Sequence, residues 1–167
     1  MSKKPANNLF KDKTNVYVTE CLSTNDFLIQ LLSKNKLEEG SVVLADFQTK
    51  GKGQRNNSWS SNREENLLFS FLLFPKIELS KQFVLHIITS LSVYNVLKEI
   101  GLTNIKIKWP NDIYVNNKKI CGILIESQIF QKKIKRSVLG IGININQKDF
   151  GAIKATSIYN ETNKKMD

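Results

Sequence analysis

The stretch IKIKWPNDIYVNNKKICGILIES, residues 105–127, alternates runs rich in apolar and β-branched residues with short polar breaks. Pro110 fixes its own backbone angle, biases Trp109 toward extended geometry and separates IKIKW from DIYVN. The polar segment NNKK follows, and QKK then separates ICGILIESQIF from SVLGIGININ. Short polar turns between such runs are typical of antiparallel hairpins, so residues 105–146 predict a sheet of consecutive strands.

The rest of the chain adds strands and helices that are grouped rather than alternating. This grouping predicts an α+β fold, in which a mixed, largely antiparallel sheet carries helices packed on one face. We expect a single domain over 1–167, with a polar arm at 1–14 and the beginning of a helix at 156–167. The other predicted strands are 16–20, 41–48 and 67–74, and the predicted helices begin near Ser23, Ser80 and Thr156 or Ser157 as caps, the second running from about 80 to 100.

The composition is that of an ordinary globular protein, with 41% hydrophobic and 24% charged residues. No apolar run approaches the ~20 residues that span a bilayer, and the N-terminal segment lacks the apolar core of a signal peptide. We therefore expect a cytoplasmic protein with no membrane partner. Cys21 and Cys121 form no CxxC pair and indicate reduced thiols, and with His86 as the single histidine the sequence predicts no protein metal site.

The formal net charge of +10 has two interpretations. One is a polyanionic partner such as nucleic acid, nucleotide phosphate or an acidic protein surface. The other is a lysine-rich composition with solvated side chains. Because the lysines are scattered and no helix-turn-helix or zinc finger is visible, we predict no nucleic-acid partner.

The segment QTKGKGQR, residues 48–55, follows a predicted strand and combines two glycines with three cations. Glycines let the backbone approach a ligand closely and expose amide hydrogens, while Lys50, Lys52 and Arg55 suit phosphate groups. The segment is neither a Walker A loop nor a dinucleotide fingerprint. A flexible surface loop would have the same composition, so both interpretations stay open.

Three further segments carry polar residues at special places. Lys108 ends a predicted strand, where it either reaches solvent or lies near a carboxylate or phosphate. The glycines of GIGINI, residues 140–145, mark a bulge or a close approach, and Asn144 needs a partner if it is buried. Ser23-Thr24-Asn25 is either a plain helix cap or part of a site.

Taken in order, these segments resemble the catalytic domain of biotin protein ligases over about residues 15–162. That family carries a Ser-Thr-Asn, a Gln followed by a glycine-rich basic loop ending in Trp, a Lys-Trp-Pro-Asn-Asp, a Gly-Ile-Leu-x-Glu and a Gly-x-Gly-Ile-Asn. The matching segments here are Ser23–Asn25, Gln48–Trp59, Lys108–Asp112, Gly122–Glu126 and Gly140–Asn144.

The resemblance implies a two-step reaction. Biotin and ATP form biotinyl-5′-adenylate, and a lysine of a biotin carboxyl carrier domain then takes the biotin. ATP and biotin are substrates, and magnesium comes with the nucleotide. By resemblance, Lys108, Arg55 and Lys52 are the catalytic charges, biotin is bound by Ser23, Thr24, Asn25, Gln48, Lys52, Gly53, Gln54, Lys108 and Gly122, and the nucleotide is bound by Lys52, Arg55, Trp59, Asn111 and Asn144.

The chain also departs from the family pattern. Gln54 and Asn56 stand where many members carry an arginine and a glycine, which bears on retention of the adenylate. We expect no N-terminal winged helix and no C-terminal SH3-like domain in this chain. A non-catalytic biotin-binding remnant, and a lipoate or octanoate enzyme of the same fold, are the alternative functions. Members of the family dimerise through sheet edges, so a homodimer is one of the expected assemblies.

Overall fold

A seven-stranded sheet forms the centre of the computed structural model, which describes residues 13–166. The strand order across the sheet is β1-β2-β3-β7-β6-β5-β4. The β1–β2 pair is parallel and every other pair is antiparallel, so the predicted mixed, largely antiparallel α+β fold is confirmed. The strands are β1 Asn15–Val18, β2 Val42–Ala45, β3 Asn66–Leu73, β4 Ile105–Lys108, β5 Asp112–Val115, β6 Lys118–Phe130 and β7 Lys133–Asn144, and the helices are α1 Thr24–Lys34, α2 Phe83–Glu99 and α3 Ile158–Thr162.

The hairpins form where the polar turns predict them. Asn116 and Asn117 join β5 to β6 with φ of 49° and 62°, and Gln131 and Lys132 join β6 to β7 with φ of 47° and 61°. Two-residue turns with positive φ match the twist of the strands that they connect. The antiparallel pairing of β5, β6 and β7 therefore follows from the residues of the two turns.

The two longer helices pack against opposite faces of the sheet, which corrects the prediction that the helices share one face. Leu28 of α1 clusters with Leu72 and Val138, whereas α2 packs with Ile141 and Phe69. On β7 and β3 these two sets alternate in position, and the β3–β7 register pairs Leu72 with Val138 and Phe69 with Ile141. Successive strand residues point to opposite faces, so one sheet divides two cores.

The helix starts agree with the sequence only in part. Ser23 occupies the N-cap position of α1, but its side chain makes no capping hydrogen bond. The prediction of Ser80 as cap was wrong, since a 3-10 turn over Leu79–Lys81 intervenes and α2 begins after Gln82. Ser157 does cap α3 by accepting from the Asn160 amide.

The two ends of the chain differ from the sequence prediction or fall outside the described part. The helix predicted over 156–167 ends at Thr162, with Asn163 in the left-handed conformation. Most of the predicted arm at 1–14 lies outside the described residues. Within residues 13–166, no helix is long and apolar enough to cross a membrane.

Candidate active site

A cavity of about 390 Å³ lies over the face of the sheet that carries α1. It is enclosed by the first turn of α1, the loop that follows β2, the β4–β5 turn and the middle of β6 and β7. The structure brings into its lining every predicted site residue except Asn144: Ser23, Thr24, Asn25, Gln48, Lys52, Gly53, Gln54, Arg55, Trp59, Lys108, Asn111 and Gly122.

Three strand glycines allow close packing at the base of this cavity. An added Cβ at Gly140 would lie 2.3 Å from Asn25 Oδ1. Added Cβ atoms at Gly142 and Gly122 would lie 2.6 and 2.9 Å from carbons of the Trp59 indole. The close approach predicted from the strand glycines is therefore present, because only a residue without a side chain leaves room for these neighbours.

The first turn of α1 is held by buried polar contacts. The Thr24 amide donates to Gln48 Oε1 at 2.8 Å, which joins the start of α1 to the segment that follows β2. Asn25 Nδ2 donates to Glu126 Oε2 at 2.7 Å, and Ser70 Oγ donates to Asn25 Oδ1 at 2.6 Å. Both ends of the Asn25 amide are thus engaged within the protein, although sequence reasoning placed Asn25 among the ligand contacts.

The basic loop folds back on itself beside the cavity. Gly53 donates its amide to the Asn57 carbonyl at 2.7 Å, and Trp59 donates its amide to the Gly51 carbonyl at 2.9 Å. The Lys52 ammonium forms an ion pair with Asp26 on the first turn of α1. The hydrogen bond to Asp26 raises the pKa of Lys52, so this lysine is a cation that also ties the loop to the helix.

A third lysine in the cavity lining, Lys119, was not among the predicted site residues. Lys119 Nζ lies 2.7 Å from Asp112 Oδ1 and 5.6 Å from the centroid of the Trp59 ring. Its side chain and that of Asp112 are 30% and 18% exposed, so the pair is partly shielded from water. Lys108 lines the same cavity, 5.4 Å from the Tyr114 ring centroid, so three lysines, Lys52, Lys108 and Lys119, line it.

A β-bulge turns Lys119 toward the cavity. The β5–β6 register pairs Ile113 with Cys121 but Tyr114 with Lys119, so Ile120 is an extra residue. Ile120 and Cys121 both pack into the core on the α2 side. Bulges re-aim side chains in this way. Strict alternation along β6 gives no signal of this placement.

The two asparagines assigned to the nucleotide occupy different places. Asn111 lines the cavity and donates to the Ile123 carbonyl at 3.3 Å. Asn144 lies outside the lining, two residues beyond Gly142 on β7, and donates to the Thr156 carbonyl at 2.9 Å. Its buried Oδ1 has no hydrogen-bond partner among the described residues, which leaves one acceptor for a ligand donor.

Comparison with known proteins shows the relationships of the chain. Residues 17–144 match the biotin/lipoate A/B protein ligase family. The bifunctional ligase/repressor BirA of Bacillus subtilis is 35% identical over 153 residues, which cover 89% of this chain and 47% of that protein. Biotin–protein ligase 1, chloroplastic, of Arabidopsis thaliana is 38% identical over 133 residues, 74% of this chain and 34% of that protein.

Solved structures show the same likeness. The biotin protein ligase from Aquifex aeolicus in complex with biotin and ATP superposes with a TM-score of 0.71 at 35% identity, over 93% of this chain and 63% of that chain. The Bacillus and Arabidopsis proteins are longer, and this chain spans about half or less of their length. The resemblance drawn from the sequence segments is confirmed.

Proposed function

This chain belongs to the biotin/lipoate A/B protein ligase family, and we propose that it is an ATP-dependent biotin protein ligase. In the first step, a biotin carboxylate oxygen attacks the α-phosphorus of ATP, the bond to the β-phosphate oxygen breaks, and pyrophosphate leaves. In the second step, the neutral amine of a carrier-domain lysine attacks the acyl carbon, AMP leaves as the carboxyl–phosphate bond breaks, and the amine loses a proton.

The observation that carries this proposal is the distribution of polar groups around one cavity. Lys108 and Lys119 line it together with Asp112, whereas Thr24 and Gln48 lie at the first turn of α1. The first chemical step brings a carboxylate and a triphosphate together and builds negative charge at phosphorus, so it needs fixed cations. The bicyclic head of biotin is neutral and needs hydrogen-bonding groups in a confined space.

The charged groups take the following roles in this proposal. Lys108 and Lys119 hold the carboxylate and the α-phosphate against each other, and Arg55 on the loop meets the remaining phosphate oxygens. The Asp112 carboxylate, whose Oδ1 lies 2.7 Å from Lys119 Nζ, keeps the Lys119 side chain oriented in the cavity. Lys52 acts mainly through its backbone and its ion pair with Asp26, which keep the loop next to α1.

Magnesium enters with the nucleotide in this scheme, where it would neutralise triphosphate charge. Within residues 13–166 no group of three carboxylate, histidine or cysteine side chains could hold a metal ion alone. Asp112 is the carboxylate that lines the cavity, so it is the group that would meet a nucleotide-bound cation.

The adenine has two candidate contacts. Trp59 lies over Gly122 and Gly142, and its indole face can stack on a planar base when the loop moves. The partnerless Asn144 Oδ1 is an acceptor suited to the exocyclic amine. The Trp59 face that lies over the two glycines and the buried Asn144 Oδ1 would both have to become accessible to the nucleotide. The proposal therefore includes a nucleotide-dependent movement of the loop between β2 and β3.

The test is product analysis with the purified chain. Biotin, ATP and magnesium are mixed with it, with and without a biotin carrier domain, and mass spectrometry detects biotinyl-adenylate and biotinylated carrier. Both products would support a complete ligase, and adenylate alone would support the first step only. Biotin binding without either product would overturn the proposal in favour of a non-catalytic biotin-binding protein. Parallel reactions with lipoate and octanoate test the other activities of the family.

A further inference from the structure

A continuous chain of hydrogen bonds runs beneath the cavity from the half-buried Glu126 to the buried Thr24. Glu126 Oε2 accepts from Asn25 Nδ2 at 2.7 Å, and Asn25 Oδ1 lies 2.6 Å from Ser70 Oγ. Ser70 Oγ lies in turn 2.7 Å from Thr24 Oγ1. Asn25, Ser70 and Thr24 are 2%, 0% and 4% exposed, so water does not compete for the contacts of Ser70 with Asn25 and Thr24, whereas Glu126 at the other end is half-buried. We propose that Glu126, through Asn25 and Ser70, fixes the Thr24 hydroxyl as a hydrogen-bond acceptor toward the ligand.

The direction of each bond follows from counting protons. A carboxylate accepts only, so the Asn25 amide turns its NH₂ group to Glu126 and its oxygen to Ser70. Ser70 has a single hydroxyl proton, and an amide oxygen cannot donate, so this proton goes to Asn25 Oδ1. Two hydroxyl oxygens 2.7 Å apart need a proton between them, and it therefore comes from Thr24.

The state of Thr24 is then determined. Its only hydroxyl proton is engaged with Ser70, and the more distant Gln48 Oε1, at 3.1 Å, already accepts the Thr24 backbone amide. The lone pairs of Thr24 Oγ1 remain for a donor in the cavity. If Asn25 were turned over, its oxygen would face the Glu126 carboxylate, and two acceptors at 2.7 Å would repel each other.

A fixed Thr24 acceptor would favour a ligand that presents an N–H donor. This inference rests on the proposed function. The ureido group of biotin has two N–H donors, and Thr24 is prepared to accept from one of them. Because the relay runs inside the protein, Glu126 is a positioning residue that does not touch the ligand. A hydroxyl free to rotate would lose part of its preference for a donor, as a buried polar group with the wrong partner is costly.

The test measures biotin affinity by calorimetry without ATP, so it does not depend on ligase activity. We expect Glu126→Leu to weaken binding roughly tenfold, the effect of one buried hydrogen bond. Glu126→Gln removes the charge but keeps an oxygen that accepts from Asn25, and it should bind within about twofold of the original protein. Thr24→Val should also weaken binding roughly tenfold, and Glu126→Leu added to Thr24→Val should cost nothing further.

The controls separate the relay from a general loss of structure. Glu99→Leu makes the same change at the exposed end of α2 and should leave biotin affinity unchanged. Ser70→Ala interrupts the relay with a smaller change of volume, and it should match Glu126→Leu without adding to it. The relay is refuted if Glu126→Leu or Ser70→Ala loses affinity equally with and without Thr24, or if Glu126→Gln is as weak as Glu126→Leu. Failure of the unaltered chain to bind biotin would instead reject the proposed function.

Discussion

Two glycines on β7 should respond very differently to the same added methyl group. Gly140 and Gly142 lie two residues apart on one face of the sheet. A Cβ at 140 meets Asn25 Oδ1 at 2.3 Å and Cγ at 3.0 Å, and a Cβ at 142 meets the Trp59 ring at 2.6 and 2.9 Å. Asn25 is buried and hydrogen-bonded at both ends, whereas Trp59 belongs to a loop. We therefore predict that Gly140→Ala damages the fold and that Gly142→Ala displaces the loop.

The magnitudes follow from what has to move. Relief at 140 requires Asn25 Oδ1 to shift by about 1 Å, and overpacking of a buried site costs about 1–3 kcal/mol. The shift also breaks the bonds of Asn25 to Glu126 and Ser70, each worth about 0.5–1.5 kcal/mol. The expected loss is therefore about 2–6 kcal/mol. Gly142→Ala should cost about 1 kcal/mol, because the loop can move into solvent.

The assay is urea unfolding followed by circular dichroism, combined with calorimetric titration of biotin and ATP. Gly140→Ala should lower the free energy of unfolding markedly and weaken biotin binding more than tenfold. Gly142→Ala should keep biotin affinity within about threefold and lose affinity mainly for the nucleotide, since Trp59 is displaced. Gly101→Ala is the control: it has φ of +93° and no heavy atom within 4 Å of the added carbon, so it tests backbone strain alone.

Two results would contradict this reasoning. Equal losses of stability in Gly140→Ala and Gly142→Ala would mean that Trp59 is held as firmly as Asn25. A loss for Gly140→Ala no larger than that of Gly101→Ala would mean that the Asn25 contacts contribute little to folding.

Three further predictions concern single side chains. Lys108→Met and Lys119→Met should each slow adenylate formation by ~10²–10³-fold in a pyrophosphate-release assay, whereas Lys118→Met, on the adjacent exposed position, should not. Burial raises the pKa of Cys21 to about 11, so iodoacetamide should alkylate it at least ~10-fold more slowly at pH 8 than free cysteine, with a rate rising toward pH 11. Burial lowers the pKa of His86, so below pH ~6.5 the unfolded chain binds the proton more readily than the folded chain. The free energy of unfolding should therefore fall as the pH drops from ~6.5 through the lower pKa of the folded state. Urea unfolding at several pH values should show that this dependence on pH disappears in His86→Phe.

The fold class and the strands could be predicted because their causes are local. Polar turns, β-branched runs and proline indicate hairpins from neighbouring residues alone, and the seven strands lie close to their predicted positions. The side of the sheet on which each helix packs was not predictable in this way. It depends on which strand residues face α1 and which face α2, and the β3–β7 register that decides this joins residues more than 60 positions apart.

For the candidate site, the lining residues could be predicted from the sequence but the contacts between them could not. The order of the segments placed every predicted residue except Asn144 in the cavity lining, because those segments end or begin strands at one place in the sheet. It could not give the partners of those residues. Asn25 was assigned to the ligand because Ser23–Asn25 resembles the Ser-Thr-Asn of the family, and its contact with Glu126 spans 101 residues of sequence. Assignment of donors and acceptors needs that long-range contact.

Lys119 shows why alternation alone is an unsafe guide to a site. Gly122 faces the cavity, so strict alternation along β6 puts residue 120 on the cavity side and residue 119 on the opposite, α2 side. The extra residue Ile120 reverses this assignment and places Lys119 on the cavity side. There the Lys119 ammonium lies 2.7 Å from the carboxylate of Asp112 on the neighbouring strand. Deleting Ile120 should therefore restore a regular ladder in which Lys119 still lies opposite Tyr114 and faces the cavity, so adenylate formation should persist. Inserting an alanine between Lys119 and Ile120 should instead turn Lys119 to the α2 side, with loss of adenylate formation comparable to Lys119→Met. Retention of activity in that insertion variant, shown to be folded by circular dichroism, would mean that the bulge does not position the lysine.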